Sequence, residues 1–196
     1  MKYTQVPTDT FKSLQLNAGF LTSDFDPTNG SVTAGSILGA TTGGVSFTAT
    51  PTYVDFGEDV DNVPANTMEL KKLDSWAANM SGTFVTVTAA LTKTLLGAAD
   101  TASNKVTPRA DLLASDFDDI WWVGDYSDVN VDSGSGADSH TAGFIAIHMM
   151  NSLSTGGFQI QSADKGKGNF AFTFEAHYSM SDIATVPFEI YVKAGE

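Results

Sequence analysis

Residues Val45–Tyr53 read VSFTATPTY, and this stretch decides the fold. Val45, Phe47, Ala49 and Tyr53 recur at every second or fourth position, while Ser46, Thr48, Thr50 and Thr52 form an uncharged hydroxyl row between them. A period of two is that of a strand with one buried face and one face turned to solvent or a partner. Phe170–Tyr178 repeats it, with Phe170, Phe172, Phe174, Ala176 and Tyr178 alternating against Ala171, Thr173, Glu175 and His177. So does Val186–Val192, with Val186, Phe188, Ile190 and Val192 on one side.

Working outward, Leu14–Leu21, Met68–Leu73, Gly82–Thr88, Ile120–Val123, Phe144–Met149 and Phe158–Gln161 are further strand candidates, rich in β-branched or aromatic residues. Asn29-Gly30, Gly43-Gly44, Gly134-Ser-Gly136 and Gly156-Gly157 supply the turns between them. One helix is predicted over Ala89–Ala99, where Leu91, Leu95 and Ala98 share a face. Pro108–Asp119 fits a short second helix and an ordered crossing loop equally well. Two connections are long enough to carry contacts, Asp55–Thr67 and Ser127–Ala142. No repeat and no linker-like composition break divides the chain, so residues 1–196 are read as one mainly β domain, a β-sandwich or barrel-like fold with a flanking helix.

Composition bounds the function. The 196 residues include 13 Phe, 5 Tyr and 3 Trp, enough apolar surface for a packed core. Ten Lys and Arg stand against 23 Asp and Glu, a net charge of −13 that repels nucleic-acid phosphates and anionic membranes. With no Cys, disulfides, thiolate metal sites and cysteine nucleophiles are excluded. No apolar run reaches signal-peptide or membrane-spanning length, so synthesis in the cytosol without a membrane anchor is expected.

Chemical motifs are sparse. Asp128, Asn130 and Asp132 have the spacing of a calcium loop, but Ser133 stands where that loop needs Gly and Ser139 where it needs a bidentate Glu, so a solvated turn is the reading. Glu58, Asp59 and Asp61 form an exposed, self-repelling tip. His140, His148 and His177 show no paired ligand spacing, and no nucleophile elbow, P-loop or dinucleotide fingerprint occurs. No catalytic residue, metal or cofactor is expected, and the chain reads as a non-enzyme. Trp121 and Trp122, adjacent in a strand, point to opposite faces, which leaves one for a partner unless the protomer covers both.

The blocks GATTGGVSFTATPTYVDFGEDVDNVPANTMELKKLDSWAANMSGTFVTVT (39–88), VTPRADLLASDFDDIWWVGDYSD (106–128), GGFQIQSADKGKGNFAFTFEAHYSMSD (156–182) and VPFEIYVKAGE (186–196) resemble, in order, major tail tube proteins of long-tailed, non-contractile bacteriophages. The resemblance runs from Leu14 onward, leaving residues 1–13 as an N-terminal extension and 127–142 as a variable loop. It implies a structural virion protein, made in the bacterial cytoplasm, that forms hexameric rings with a continuous inner β-barrel and stacks them into the tail tube through which DNA is ejected. Implied partners are further copies of the chain, tape measure protein, tail-tip initiator and tail terminator. Under this reading Asp55, Phe56, Glu58, Asp59, Asp61, Val63, Pro64 and Asn66 are candidates for contact with the next ring. Ser46, Thr48, Thr50 and Thr52 are candidates for the lumen wall, and Trp121 and Trp122 for an interface. Acid on the lumen wall would keep DNA from sticking. The alternatives are a tube subunit of a phage-tail-like bacteriocin or secretion system, and a receptor- or carbohydrate-binding sandwich using Trp76, Trp121 or Trp122 as a stacking platform.

Overall fold

A computed structural model describes residue 10 and residues 13–126 and 143–194. The 127–142 loop, with Asp128, Asn130, Asp132, Ser133, Ser139 and His140, lies outside the described residues, as does most of the N-terminal extension. The elements are β1 (Gln15–Thr22), β2 (Phe25–Asp26), β3 (Ser31–Val32), β4 (Ile37–Gly39), β5 (Thr41–Asp55), β6 (Lys71–Phe84), α1 (Ala89–Leu96), β7 (Ala99–Ala102), β8 (Lys105–Pro108), β9 (Asp118–Tyr126), β10 (Phe144–Ser154), β11 (Phe170–Glu175) and β12 (Phe188–Lys193). The described residues are mainly β with one α-helix, and their strands pair antiparallel.

The large sheet runs β4-β1-β9-β10-β11-β6-β5, with β12 also on β10. β10 is the corner strand. Its first half pairs with β9 and β12, and its last residues, Leu153 and Ser154, pair with Glu175 and Phe174 of β11. Between the halves the register shifts and Asn151 takes φ 47°, held by Asp119 accepting from its N–H at 3.0 Å. A bulge of this kind bends a strand from one layer into the next. Leu21, Ile120, Trp122, Ile147 and Met149 from one layer then face Met80, Phe84, Phe170, Phe172 and Phe174 from the other, closed by Leu91 and Leu95 of α1. This is a β-sandwich core, as the period-two segments predict. A second cluster of Phe25, Trp121, Val123, Phe144 and Ala146 lies under the β2–β3 hairpin.

Several boundaries differ from the sequence reading. The expected strands Met68–Leu73 and Gly82–Thr88 meet in the single strand β6, after a 3-10 turn at Met68–Leu70. The intervening Asp74–Ser81 has little strand propensity of its own and is held by β5 on one side and, from Asn79 onward, by β11 on the other. Phe158–Gln161 is no strand. It keeps one bridge, Gln161 to Asn169, and Phe158 packs on Phe170. The helix starts where Thr88 Oγ1 accepts the Leu91 N–H at 3.1 Å, but it ends at Leu96 and not Ala99. Gly97 at φ 73° donates to the carbonyls of Lys93 and Thr94 and turns the chain out, so Ala98 is off the helix face. In Pro108–Asp119 the crossing loop prevails over the helix. Pro108 ends β8, only Ala114–Asp116 coils into a 3-10 turn, and Arg109 is paired to the buried Asp116. On β12, Phe188 packs against Phe47 and Trp76, while Ile190 and Val192 are exposed because the strand lies at a sheet edge.

Candidate assembly surface

β5 and β6 form a long hairpin. Thr48 sits opposite Asn79, Thr50 opposite Ala77, Thr52 opposite Ser75, and Ser46 opposite Ser81, which in turn faces Thr173 of β11. Residues opposite one another share a face, so Ser46, Thr48, Thr50 and Thr52, all exposed, extend into a broader face of small polar side chains on β6 and β11. The other face carries Phe47, Met80 and Phe174 into the core. Among the described residues of β11 and its stretch of pairing, this outer face holds one carboxylate, Glu175. The acid excess therefore lies elsewhere, and the hydroxyl row stays uncharged as its sequence reads.

β5 has a second property that periodicity does not reveal. Among the described residues it pairs with β6 alone, leaving its other edge free over 15 residues. From Thr41 through Val54 it contains no charged side chain. Edge strands of monomeric proteins are guarded by charge, proline or bulges against pairing with other chains. Here the guards are Pro51 and two register shifts, at Thr42/Val45 and Thr52/Tyr53, which leave Val45–Thr50 open between them.

At its far end the hairpin carries the loop expected for contact with another ring. Phe56, Glu58, Asp59, Asp61, Pro64 and Asn66 are exposed and Val63 is half-buried. Phe56 is 61% exposed and Met68 80%. The loop is nonetheless built. Asp55 Oδ1 accepts the Gly57 N–H at 2.9 Å and its Oδ2 the Asn66 N–H at 2.8 Å, and Lys71 Nζ donates to Asn66 Oδ1 at 3.2 Å. Asn62 and Asn66 adopt φ 64° and 62°, a conformation asparagine tolerates. The Gly57 N–H, then the Asn66 N–H, then the charge of Lys71 hold the Asp55 carboxyl below its ordinary 3.8. A lowered folded value stabilises the loop at all pH above 3.8 and ceases to do so as pH falls through it. Hydrogen-exchange protection of the Gly57 and Asn66 amides is accordingly expected to drop below pH 3.8. In Asp55→Asn the drop is absent and protection is low throughout; protection in the wild type that ignores pH would show that Asp55 does not pin the loop.

The tryptophan pair departs from its expected interface role. Trp121 is 8% and Trp122 9% exposed. Trp122 enters the main core and donates from Nε1 to the Ala18 carbonyl at 3.0 Å. Trp121 is covered on the opposite face by Phe25 and Tyr191 and stacks on His148 at 3.9 Å, 5° from parallel. Both faces of this sheet are covered within one protomer, so neither ring is left over. His148 Nε2, on β10, lies 3.1 Å from Asp119 Oδ2, and His177 Nδ1 3.2 Å from the Asn151 carbonyl, just past β11, which ends at Glu175 and not at the expected Tyr178. Among the described residues no three His, Asp or Glu side chains converge as metal ligands, and no helix is long and apolar enough to cross a membrane.

A scan against protein-family models finds no match, and a search of curated proteins finds none.

Proposed function

We propose that this chain is a structural subunit that assembles with copies of itself into a hollow tube, the tail tube of a long-tailed, non-contractile phage. The observation that carries the reading is β5: a strand without charge from Thr41 through Val54, at a sheet edge that no other described strand pairs, beside an exposed face of hydroxyls. In a chain of net charge −13, copies meet most easily where charge is absent, and edge-to-edge pairing satisfies backbone groups that are otherwise left to water. The ordered blocks that resemble tail tube proteins support the same reading, with rings of six as the expected unit. Tape measure protein, tail-tip initiator and tail terminator are the expected partners.

In this reading the face of Ser46, Thr48, Thr50 and Thr52 lines the passage. A wall of neutral hydroxyls offers a passing polyanion water and no cations to hold it. A carbohydrate-binding role loses its platform, because Trp121 and Trp122 are buried and Trp76 packs edge-on against Phe188 at 5.5 Å. The test is electron microscopy of concentrated protein carrying Thr50→Cys labelled with a small gold cluster. Gold along the axis of hollow tubes is the expected result; gold on the outer wall would overturn the assignment of this face.

A further inference from the structure

The two ends of the β5–β6 hairpin differ in charge. At one end the loop that follows β5, here called the arm, carries Glu58, Asp59 and Asp61 in the same stretch as the exposed apolar side chains Phe56, Val60 and Met68. At the opposite end, Phe84 of β6 lies beside Thr41 of β5 and Phe170 of β11. The chain leaves this end through residues 85–88 into α1 and enters it through the loop 155–169. The two meet, since Ser154 Oγ donates to the Leu95 carbonyl at 2.7 Å and the backbone of Ser154 borders Gly97. Lys93 lies on α1 and Lys165 and Lys167 on the loop, and Val87 and Ile160 of the same two chain passages are exposed. α1 and the loop 155–169 thus carry three of the chain's ten basic residues and one acid, Asp164, in a protein of net charge −13. Lys165 and Lys167 are both exposed, on a turn closed by the Gly166 N–H to the Ala163 carbonyl at 3.2 Å. The rise of a strand sets the two ends of β6 about 45 Å apart, too far for the arm of one copy to reach its own basic end.

We propose that these ends dock on each other between copies: the acidic, apolar arm loop of one copy seats on the basic, apolar end formed by α1 and the loop 155–169 of the next. The proposal rests on the self-assembly reading and adds to it the receiving surface and the polarity of the stack. The occupant is a second copy, because the arm supplies both things this end lacks, carboxylates for its lysines and apolar side chains for Val87 and Ile160. The contact joins two different surfaces, so it does not close on itself and propagates as a stack. Local opposite charges also give the docking its register against the general repulsion between acidic copies.

The test uses full-length protein and three charge variants, with circular dichroism melting curves to establish that each folds. Wild type is expected to form long tubes. Lys165→Glu with Lys167→Glu is expected to shorten the mean tube length about tenfold or more, since like charges then face each other across each junction. Glu58→Lys with Asp59→Lys is expected to do the same. All four substitutions in one chain restore opposite signs and are expected to restore the length. Wild-type tubes whose length is unchanged by the lysine reversals, or not restored in the fourfold variant, overturn this proposal alone. Wild-type protein that never stacks overturns it together with the self-assembly reading.

Discussion

Arg109→Met is expected to destabilise the fold by about 3–5 kcal/mol, the cost of leaving a buried charge without its partner. The Asp116 side chain is fully buried. Its Oδ1 accepts from Arg109 Nη2, and its Oδ2 accepts the Leu113 N–H at 2.8 Å. Arg109 also donates from Nη1 to the Asp111 carbonyl at 3.3 Å, and its Nε lies 2.9 Å from Asp100, an ion pair not aligned as a hydrogen bond. One guanidinium thus ties β7 to the crossing loop and its 3-10 turn. Methionine keeps much of the side-chain volume and removes the charge. For a domain of this size the loss corresponds to a fall in Tm of about 6–20 °C. Arg109→Met with Asp116→Asn is expected to recover much of it, because no carboxylate then stays buried, and a denaturant double-mutant cycle measures the difference. A single variant within about 0.5 kcal/mol of wild type would mean that water reaches Asp116.

Gly19→Ala is expected to cost about 2–5 kcal/mol, from the left-handed backbone and the overpacking together. Gly19 sits in the β1 bulge, where the register with β9 shifts between Leu16 and Phe20, at φ 67°. A Cβ there would lie 2.5 Å from the Val123 carbonyl oxygen and 2.7 Å from Nε1 of Trp122. The same bulge presents the Ala18 carbonyl to that indole. The substitution therefore strains the backbone and displaces the largest side chain of the core at once. Urea denaturation measures the cost, and a red-shifted tryptophan emission in the folded variant reports the displaced ring. A loss below about 1 kcal/mol would show that the bulge relaxes freely.

The strands that alternate most cleanly, β5 and β11, were legible because each buries one face only, and the hydroxyl row emerges exposed as its pattern predicts. The helix start was legible in Thr88, whose hydroxyl caps it. Its end lay in Gly97, a stop signal that the flanking alanines mask in a pattern of small apolar residues. β6 was read as two strands because its middle is held by neighbours distant in sequence and not by its own propensity. The same cause hid the free edge of β5. A strand's sequence tells which face is apolar, but whether a neighbour occupies its far edge depends on the order of the whole sheet. The tryptophan pair failed as an interface signal because the short β2–β3 hairpin, invisible to periodicity at two residues per strand, brings Phe25 over Trp121. The nearness of α1, with Lys93, to the end of β10 that leads into the loop of Lys165 and Lys167 was equally hidden, since it depends on the packing of α1 against β10.

Self-assembly is the central claim, and negative-stain electron microscopy of the unmodified protein at rising concentration and ionic strength tests it most directly, since salt screens the repulsion between copies of charge −13. Rings and hollow tubes are the predicted result. Monomers that persist at high concentration and salt, with a tail-tip initiator added, would contradict it.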